Sequence, residues 1–247
     1  MSIKGIVFDK DGTLIDYEAC WVDRTRAASR SLLHEYGADA AYEPIMKRLG
    51  ILNDGSVDIK GALCHGTYAD ISTVYAEEIS SIGVKTEPCR LLTDVKQAFY
   101  RFRSLAKTKA TYDKTKELFL SLKNEGIKLG LVTTDDKDGA FLTLSSLGIF
   151  DLFDITLFSD DIHPTKPDPY FMRVFMEKTG LLPCEILMVG DTLSDMLFGK
   201  NCGVYTLGVG KNEGNRKILG EISDYTAPDV SFIPEILNSI RTASLSL

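Results

Sequence analysis

The stretch Ile6-Val7-Phe8-Asp9-Lys10-Asp11-Gly12-Thr13 decides the fold. Its apolar half, with β-branched Ile6 and Val7, reads as a short buried strand. The strand runs into two carboxylates one residue apart, followed by glycine. In an open α/β sheet, ligands bind just beyond the carboxyl ends of the strands. Asp9 and Asp11 therefore stand where chemistry is done. Two aspartates this close repel, so one takes a proton or both share a cation. A plain Asp-Gly turn is the competing reading. A calcium loop is not, because counting from Asp9 puts Leu14 and Cys20 where an EF-hand needs its glycine and its glutamate.

The pattern changes after Asp16. Tyr17–Tyr36 is helix-like, with Ala27, Ala28, Leu32 and Leu33 on one face and Gly37 as a stop. Helical segments follow over Tyr42–Leu49, Ile59–Leu63, Tyr68–Ile82 and Thr93–Ala106, separated by turns such as Asn53-Asp54-Gly55. No strand is expected in this insertion of roughly 90 residues, which is the size of a small domain.

From Thr111 helices and strands alternate. Expected strands are Ile127–Val132, Ile155–Phe158, Ile186–Val189 and Val204–Leu207. Expected helices are Asp113–Glu125, Ala140–Leu147, Tyr170–Thr179 and Leu193–Asn201. The tail Ser239–Leu247 is Ser-rich and expected to fray. Alternation of this kind implies right-handed βαβ units and a parallel sheet. The expected architecture is thus a doubly wound α/β core from residues 1–15 and 108–247. An all-helical domain, 16–107, is inserted after strand one as a lid over the substrate.

Composition narrows the function classes. With 44% hydrophobic and 26% charged residues the 247-residue chain is ordinary for a globular protein. Its 28 Lys+Arg against 35 Asp+Glu give a net charge of −7, which argues against nucleic acid or an anionic membrane as partner. Five widely spaced cysteines without a Cys-x-x-Cys pair suit reduced thiols. The N-terminal apolar run is too short for a signal peptide and no stretch is long enough to span a bilayer. A cytoplasmic monomer or homodimer is expected.

Polar groups recur just past the strand ends. They are Asp9 and Asp11, then Thr133, then Lys166, then Asp191 with Asp195. All ends of a parallel sheet face one way, so these groups collect in one crevice. A cation and a lysine can neutralise phosphate charge there, a hydroxyl can orient it and a carboxylate can attack. Each has an ordinary alternative. Thr133 can serve as a turn hydroxyl, Lys166 as a solvated lysine, and Asp191 as a helix cap.

Phe8-Asp9-Lys10-Asp11-Gly12-Thr13, Thr133, Lys166-Pro167-Asp168-Pro169 and Gly190-Asp191-Thr192-Leu193-Ser194-Asp195 together resemble the four motifs of the haloacid dehalogenase-like hydrolases. The insertion resembles that superfamily's small α-helical cap. The likeness implies that Asp9 is the nucleophile and forms an aspartyl-phosphate, with Asp11 as general acid and then base. It implies that Thr133 and Lys166 hold the phosphoryl oxygens. Mg²⁺ would be ligated by Asp9, Asp191 and Asp11, the last through its carbonyl, with support from Asp195.

The second aspartate, Asp11, separates a phosphatase from the superfamily's carbon–halide hydrolases, which lack it, and from its ion pumps, which carry Thr there. A phosphomutase of the β-phosphoglucomutase type shares the chemistry and stays open, as does a non-catalytic binding protein. A phosphonate hydrolase would need a cap lysine, for which Lys47 and Lys60 are candidates without support. Small-metabolite phosphatases of the phosphoglycolate phosphatase kind are most similar. Thr134 and Tyr112-Asp113 depart from their usual Asn and Pro-Gly, which leaves the phosphorylated substrate unnamed. Arg24, Arg26 and Arg30 of the insertion, and His163 near Lys166, are candidates to touch it.

Overall fold

A computed structural model describes residues 2–58, 60–105, 107–159 and 162–243. The chain divides into two compact units, Met1–Asp16 with Thr108–Leu247, and Tyr17–Lys107.

The first unit is built on a six-stranded, wholly parallel sheet. Its strands are β1 (Gly5–Phe8), β2 (Lys128–Thr133), β3 (Ile155–Phe158), β4 (Ile186–Gly190), β5 (Tyr205–Val209) and β6 (Tyr225–Ala227). The spatial order is β3-β2-β1-β4-β5-β6, so β1 is central, between β2 and β4. The strand order reverses between β1 and β4, and a doubly wound sheet opens its ligand crevice at such a point.

Burial on both faces explains the unbroken apolar run of β1. Val7 joins Val132, Phe171, Met172, Phe175, Met188 and Phe198 in one cluster. These include residues of α8 (Tyr170–Thr179) and α9 (Leu193–Asn201). Phe8 points the other way, where its ring lies 4.8 Å from that of Phe119 on α6 (Thr115–Asn124), and Phe119 meets Phe153 at 5.3 Å. Gly130 in β2 leaves room for Phe175, whose ring would stand 2.6 Å from a Cβ there.

Among the described residues the regular structure of the inserted unit is helical apart from an isolated bridge between Ile51 and Val57. Its helices are α1 (Tyr17–Glu35), α2 (Tyr42–Leu49), α3 (Ala62–His65), α4 (Tyr68–Ser81) and α5 (Pro88–Arg101). Leu33, Ile45, Tyr75, Ile79, Leu91, Val95 and Phe99 fill its core. The Tyr75 hydroxyl is buried there and shares a 2.5 Å hydrogen bond with Ser29 Oγ, so it is satisfied.

Several boundaries differ from the sequence expectation, each for a local reason. Helix α5 starts at Pro88 rather than Thr93, because proline is preset for a first helical turn and the Glu87 carboxylate caps the N–H groups of Cys89 and Arg90. It stops at Arg101. Helix α7 (Lys137–Ser146) starts three residues early because Asp136 caps the Gly139 N–H. The segment expected over Ile59–Leu63 is helical only from Ala62, and Ile59 and Ala106 lie outside the described residues. Strand β6 and helices α10 (Glu213–Gly220) and α11 (Ile233–Ala243) were not expected. Helix α11 carries Ser239–Ala243 in regular structure, which corrects the expected fraying over those residues; 244–247 lie outside the described residues. Among the described residues no helix is long and apolar enough to cross a membrane.

Candidate active site

Parallel register brings the polar groups to one edge. Phe8 pairs with Leu131 and with Val189, so Asp9, Thr133 and Asp191 leave three adjacent strands at the same end of the sheet. The Asp9 N–H continues the ladder one step further, donating to the Val189 carbonyl at 2.9 Å. Beyond it the chain turns sharply, with Leu14 and Ile15 both donating their N–H groups to the Lys10 carbonyl.

Glycine is required twice here. Gly12 sits at φ +84°, and a Cβ there would stand 2.0 Å from Asp191 Oδ2. Gly190 faces helix α9, where a Cβ would fall 2.3 Å from that of Asp195. The first lets the loop after β1 close onto Asp191, and the second lets α9 close onto the end of β4.

Asp9, Asp191 and Asp195 come together so that their carboxylate oxygens lie within 4.8 Å of one another. Lys166 enters this group from the loop after β3. Its Nζ donates to Asp9 Oδ1 at 2.5 Å and to Asp195 Oδ1 at 2.6 Å, and the residue is only 8% exposed. Its loop is pinned beside α9 by the Asn201 amide, which donates to the Pro167 carbonyl. The reading of Lys166 as a solvated lysine is thereby overturned.

Asp191 does not cap α9. That task falls to Thr192, whose hydroxyl accepts the Asp195 N–H at 3.2 Å and donates to Asp195 Oδ2 at 2.6 Å. Asp191 is instead held by Thr13, whose hydroxyl donates to Oδ1 at 3.1 Å. Thr133 is buried at the end of β2, and its oxygen accepts the Asp135 N–H at 3.1 Å, the turn role considered for it. That bond uses the oxygen and leaves the hydroxyl proton available to donate.

Electrostatics reflect the crowding. Burial pushes the Asp9 carboxyl up to about 7; Lys166 opposes this and Asp195 adds to it. Burial, with the charges of Asp9 and Asp195, holds Asp191 well above the usual carboxylate range. For Lys166 burial acts downward, yet Asp195 and Asp9 outweigh it and the ammonium is held above its usual range. One lysine among three carboxylates leaves the cluster short of positive charge. Oxygen donors in a crowded acidic pocket are what a hard divalent cation takes, so the residues fit Mg²⁺. Asp195 already spends one oxygen on Lys166 and the other on Thr192, which suits it to support rather than to direct ligation.

The Asp11 carboxylate is not in that cluster. It meets Lys10, whose Nζ stands 2.8 Å from Oδ1 and 2.7 Å from Oδ2, and Lys10 also reaches Asp135 Oδ2 at 3.1 Å. Sequence reading passed over Lys10 and Asp135. A lysine directly between two aspartates was the available signal.

In the inserted unit Arg24 donates from Nε to the Phe99 carbonyl at 2.9 Å and stacks 4.6 Å from the Trp21 ring. Arg26 donates to the Leu52 carbonyl and Arg30 lies over the Tyr42 ring. Arg26, Arg30, Tyr42 and Met46 line a cleft of about 580 Å³ within that unit. His163 stacks on Tyr170, with ring centroids 4.5 Å apart.

Residues 3–203 match the model of a family described as haloacid dehalogenase-like hydrolase. Pyrophosphatase PpaX of Bacillus velezensis is 34% identical over 127 residues, a local match that covers 51% of this chain and 58% of that protein. Phosphoglycolate phosphatase of Neisseria gonorrhoeae is 26% identical over 242 residues, covering 97% of this chain and 94% of that one. Among solved structures, one described as a predicted phosphoglycolate phosphatase from Haemophilus somnus superposes with a TM-score of 0.72. Its identity is 22%, and 96% of this chain and 98% of that one are covered, which establishes a shared fold.

Proposed function

The chain belongs to the haloacid dehalogenase-like hydrolases, and on that basis we propose that it hydrolyses a small phosphomonoester metabolite with Mg²⁺. The observation that carries this reading is Lys166 seated between Asp9 and Asp195, with Asp191 completing an oxygen-only cluster at the sheet's switch point. Such a pocket binds a phosphoryl group and a cation together, and it leaves Asp9 as a buried oxygen nucleophile.

In the proposed reaction an Asp9 carboxylate oxygen forms a bond to phosphorus while the bond from phosphorus to the leaving oxygen breaks. Asp11 gives its proton to that oxygen. It then takes one from water, whose oxygen displaces Asp9 and releases inorganic phosphate. Thr133 and Lys166 hold the transferring oxygens. Asp9 and Asp191, with the Asp11 carbonyl, hold Mg²⁺, which neutralises charge that builds up on the phosphoryl group. The inserted unit, Tyr17–Lys107, acts as the cap that selects the substrate. The relatives named above differ in substrate, so phosphoglycolate, sugar phosphates and pyrophosphate are the compounds to compare. A reducing, cytoplasmic setting suits five widely spaced cysteines without a Cys-x-x-Cys pair.

Purified protein with Mg²⁺ is expected to release phosphate from an aryl phosphate and, faster, from one metabolite of such a panel, and chelation should stop it. Absence of turnover across the panel despite Mg²⁺ binding would favour the non-catalytic reading. Preference for pyrophosphate would overturn the monoester assignment, and dependence on a bisphosphate activator would reveal a mutase.

Metal should also act on stability. The Asp9 carboxyl titrates near 7 in the metal-free fold against 3.8 ordinarily, so between those values the folded chain binds more protons than the unfolded one. Metal-free stability therefore falls as pH rises through that window, and a cation on the cluster removes the penalty. Mg²⁺ is expected to raise the melting temperature by about 4–8 °C at pH 8, and by less than half as much at pH 5.5. An equal rise at both pH values, read by scanning calorimetry, would contradict the cluster as its site.

A further inference from the structure

Lys10 is the least expected residue of the first unit. It is 1% exposed, although a buried ammonium is costly unless paired and hydrogen-bonded. Its pairing is asymmetric. Both oxygens of Asp11 lie within hydrogen-bond reach of Nζ, at 2.8 and 2.7 Å, and Asp135 Oδ2 stands behind it at 3.1 Å.

Asp135 is itself fixed. Its Oδ1 accepts the Asp136 N–H at 2.9 Å, and its own N–H donates to the Thr133 hydroxyl. Its carboxylate packs against Gly139, where a Cβ would stand 2.8 Å from Oδ2. Asp136 caps α7 over the same turn. A continuous chain of contacts therefore runs from Thr133 through Asp135 and Lys10 to Asp11, joining the ends of β2 and β1.

We propose that Lys10, anchored by Asp135, is a positioning residue that fixes the carboxylate of Asp11 for proton transfer. The proposal rests on the phosphatase reading, in which Asp11 carries the proton. An aspartate on a turn has rotamer freedom, and a proton carrier must lie within hydrogen-bond reach of the reacting oxygen. A buried ammonium facing both oxygens removes that freedom before substrate arrives, as supporting shells do for reactive groups. Asp135 holds the ammonium in place, and the Thr133 turn holds Asp135.

Two readouts separate this from a merely structural role. With Mg²⁺ and an aryl phosphate, Lys10→Met should lower kcat about 10-fold while KM changes less than 2-fold. Lys10→Arg should recover part of the loss. In an Asp11→Asn background, where no carboxylate remains to position, Lys10→Met should change kcat less than 2-fold. A further 10-fold loss in that background would overturn the proposal. Crystal structures of the metal-free wild-type and Lys10→Met proteins give the second readout. Asp11 should leave its position or split between conformers in the variant, and an unmoved Asp11 would overturn the proposal whatever the activity. Should Lys10→Met not fold, Asp135→Asn keeps the side-chain shape and is expected to shift Asp11 and kcat in the same direction. A wild-type protein without phosphatase activity sinks the functional reading, and the crystallographic comparison still decides whether Lys10 positions Asp11.

Discussion

Asp9→Asn is expected to lower kcat/KM by at least about 10⁴-fold, because the side chain proposed to form the bond to phosphorus is replaced by a poor nucleophile. The change is nearly isosteric, so the loss is chemical rather than structural. Stability should move the other way. Asp9 is buried against Asp195 and Asp191, and burial is the main reason its carboxyl is pushed up to about 7. A neutral amide removes that penalty above pH 7, while Lys166 keeps its 2.6 Å bond to Asp195. The metal-free variant should therefore melt at or above the wild-type temperature at pH 8, with a smaller rise on adding Mg²⁺. Acid-quenched mass spectrometry of the wild type under turnover should find a phosphoryl adduct on the peptide containing Asp9, and none in the variant. Retained turnover, or an adduct elsewhere, would remove Asp9 from the nucleophile's place.

The strand-end groups were legible in the sequence because parallel topology does the gathering. Once β1, β2 and β4 are read from their apolar runs, the register leaves little choice about which edge Asp9, Thr133 and Asp191 occupy. What the local pattern could not carry was partner choice. Thr192 takes the cap of α9, and so sets Asp191 free, through a reciprocal pairing with Asp195 that only the folded turn displays. Arg24 reads as a helix-face cation, yet it is spent on the Phe99 carbonyl, 75 residues away. The pairing of Lys10 with Asp135 links residues on two strands' ends, and no spacing rule reports it.

The missed elements have a plain cause too. Strand β6 is three residues long at the sheet's edge, with Thr226 exposed, so it carries almost no alternation to detect. Without it the helices on either side, α10 and α11, had no βαβ frame to be placed in. The start of α5 at Pro88 rests on the capping geometry of the Glu87-Pro88 pair rather than on apolar periodicity.

Lys166→Met should have the second largest effect, on activity and stability together. The wild-type ammonium donates to Asp9 at 2.5 Å and to Asp195 at 2.6 Å, and all three groups are buried. Methionine fills a similar volume but leaves two carboxylates facing each other without a counter-charge. Removing one partner of a buried pair costs about 3–5 kcal/mol, since the other charge is left uncompensated. The pH dependence follows from the direction of the shifts. Without Lys166 the Asp9 carboxyl loses the charge that opposes its rise and moves further upward, so the folded variant holds a proton that the unfolded chain releases. Its stability deficit must therefore grow as pH rises, being small near pH 5 and largest near pH 8. Mg²⁺ should recover part of it by supplying the missing positive charge. It should not restore turnover, for in the proposed reaction the lysine also holds the phosphoryl oxygens, and the loss of such a donor in a dry site costs about 10²–10³-fold in kcat. A deficit independent of pH, or activity within a few-fold of wild type, would show that Lys166 is packing rather than charge. The asymmetry between recovered stability and unrecovered activity separates its two duties in one protein.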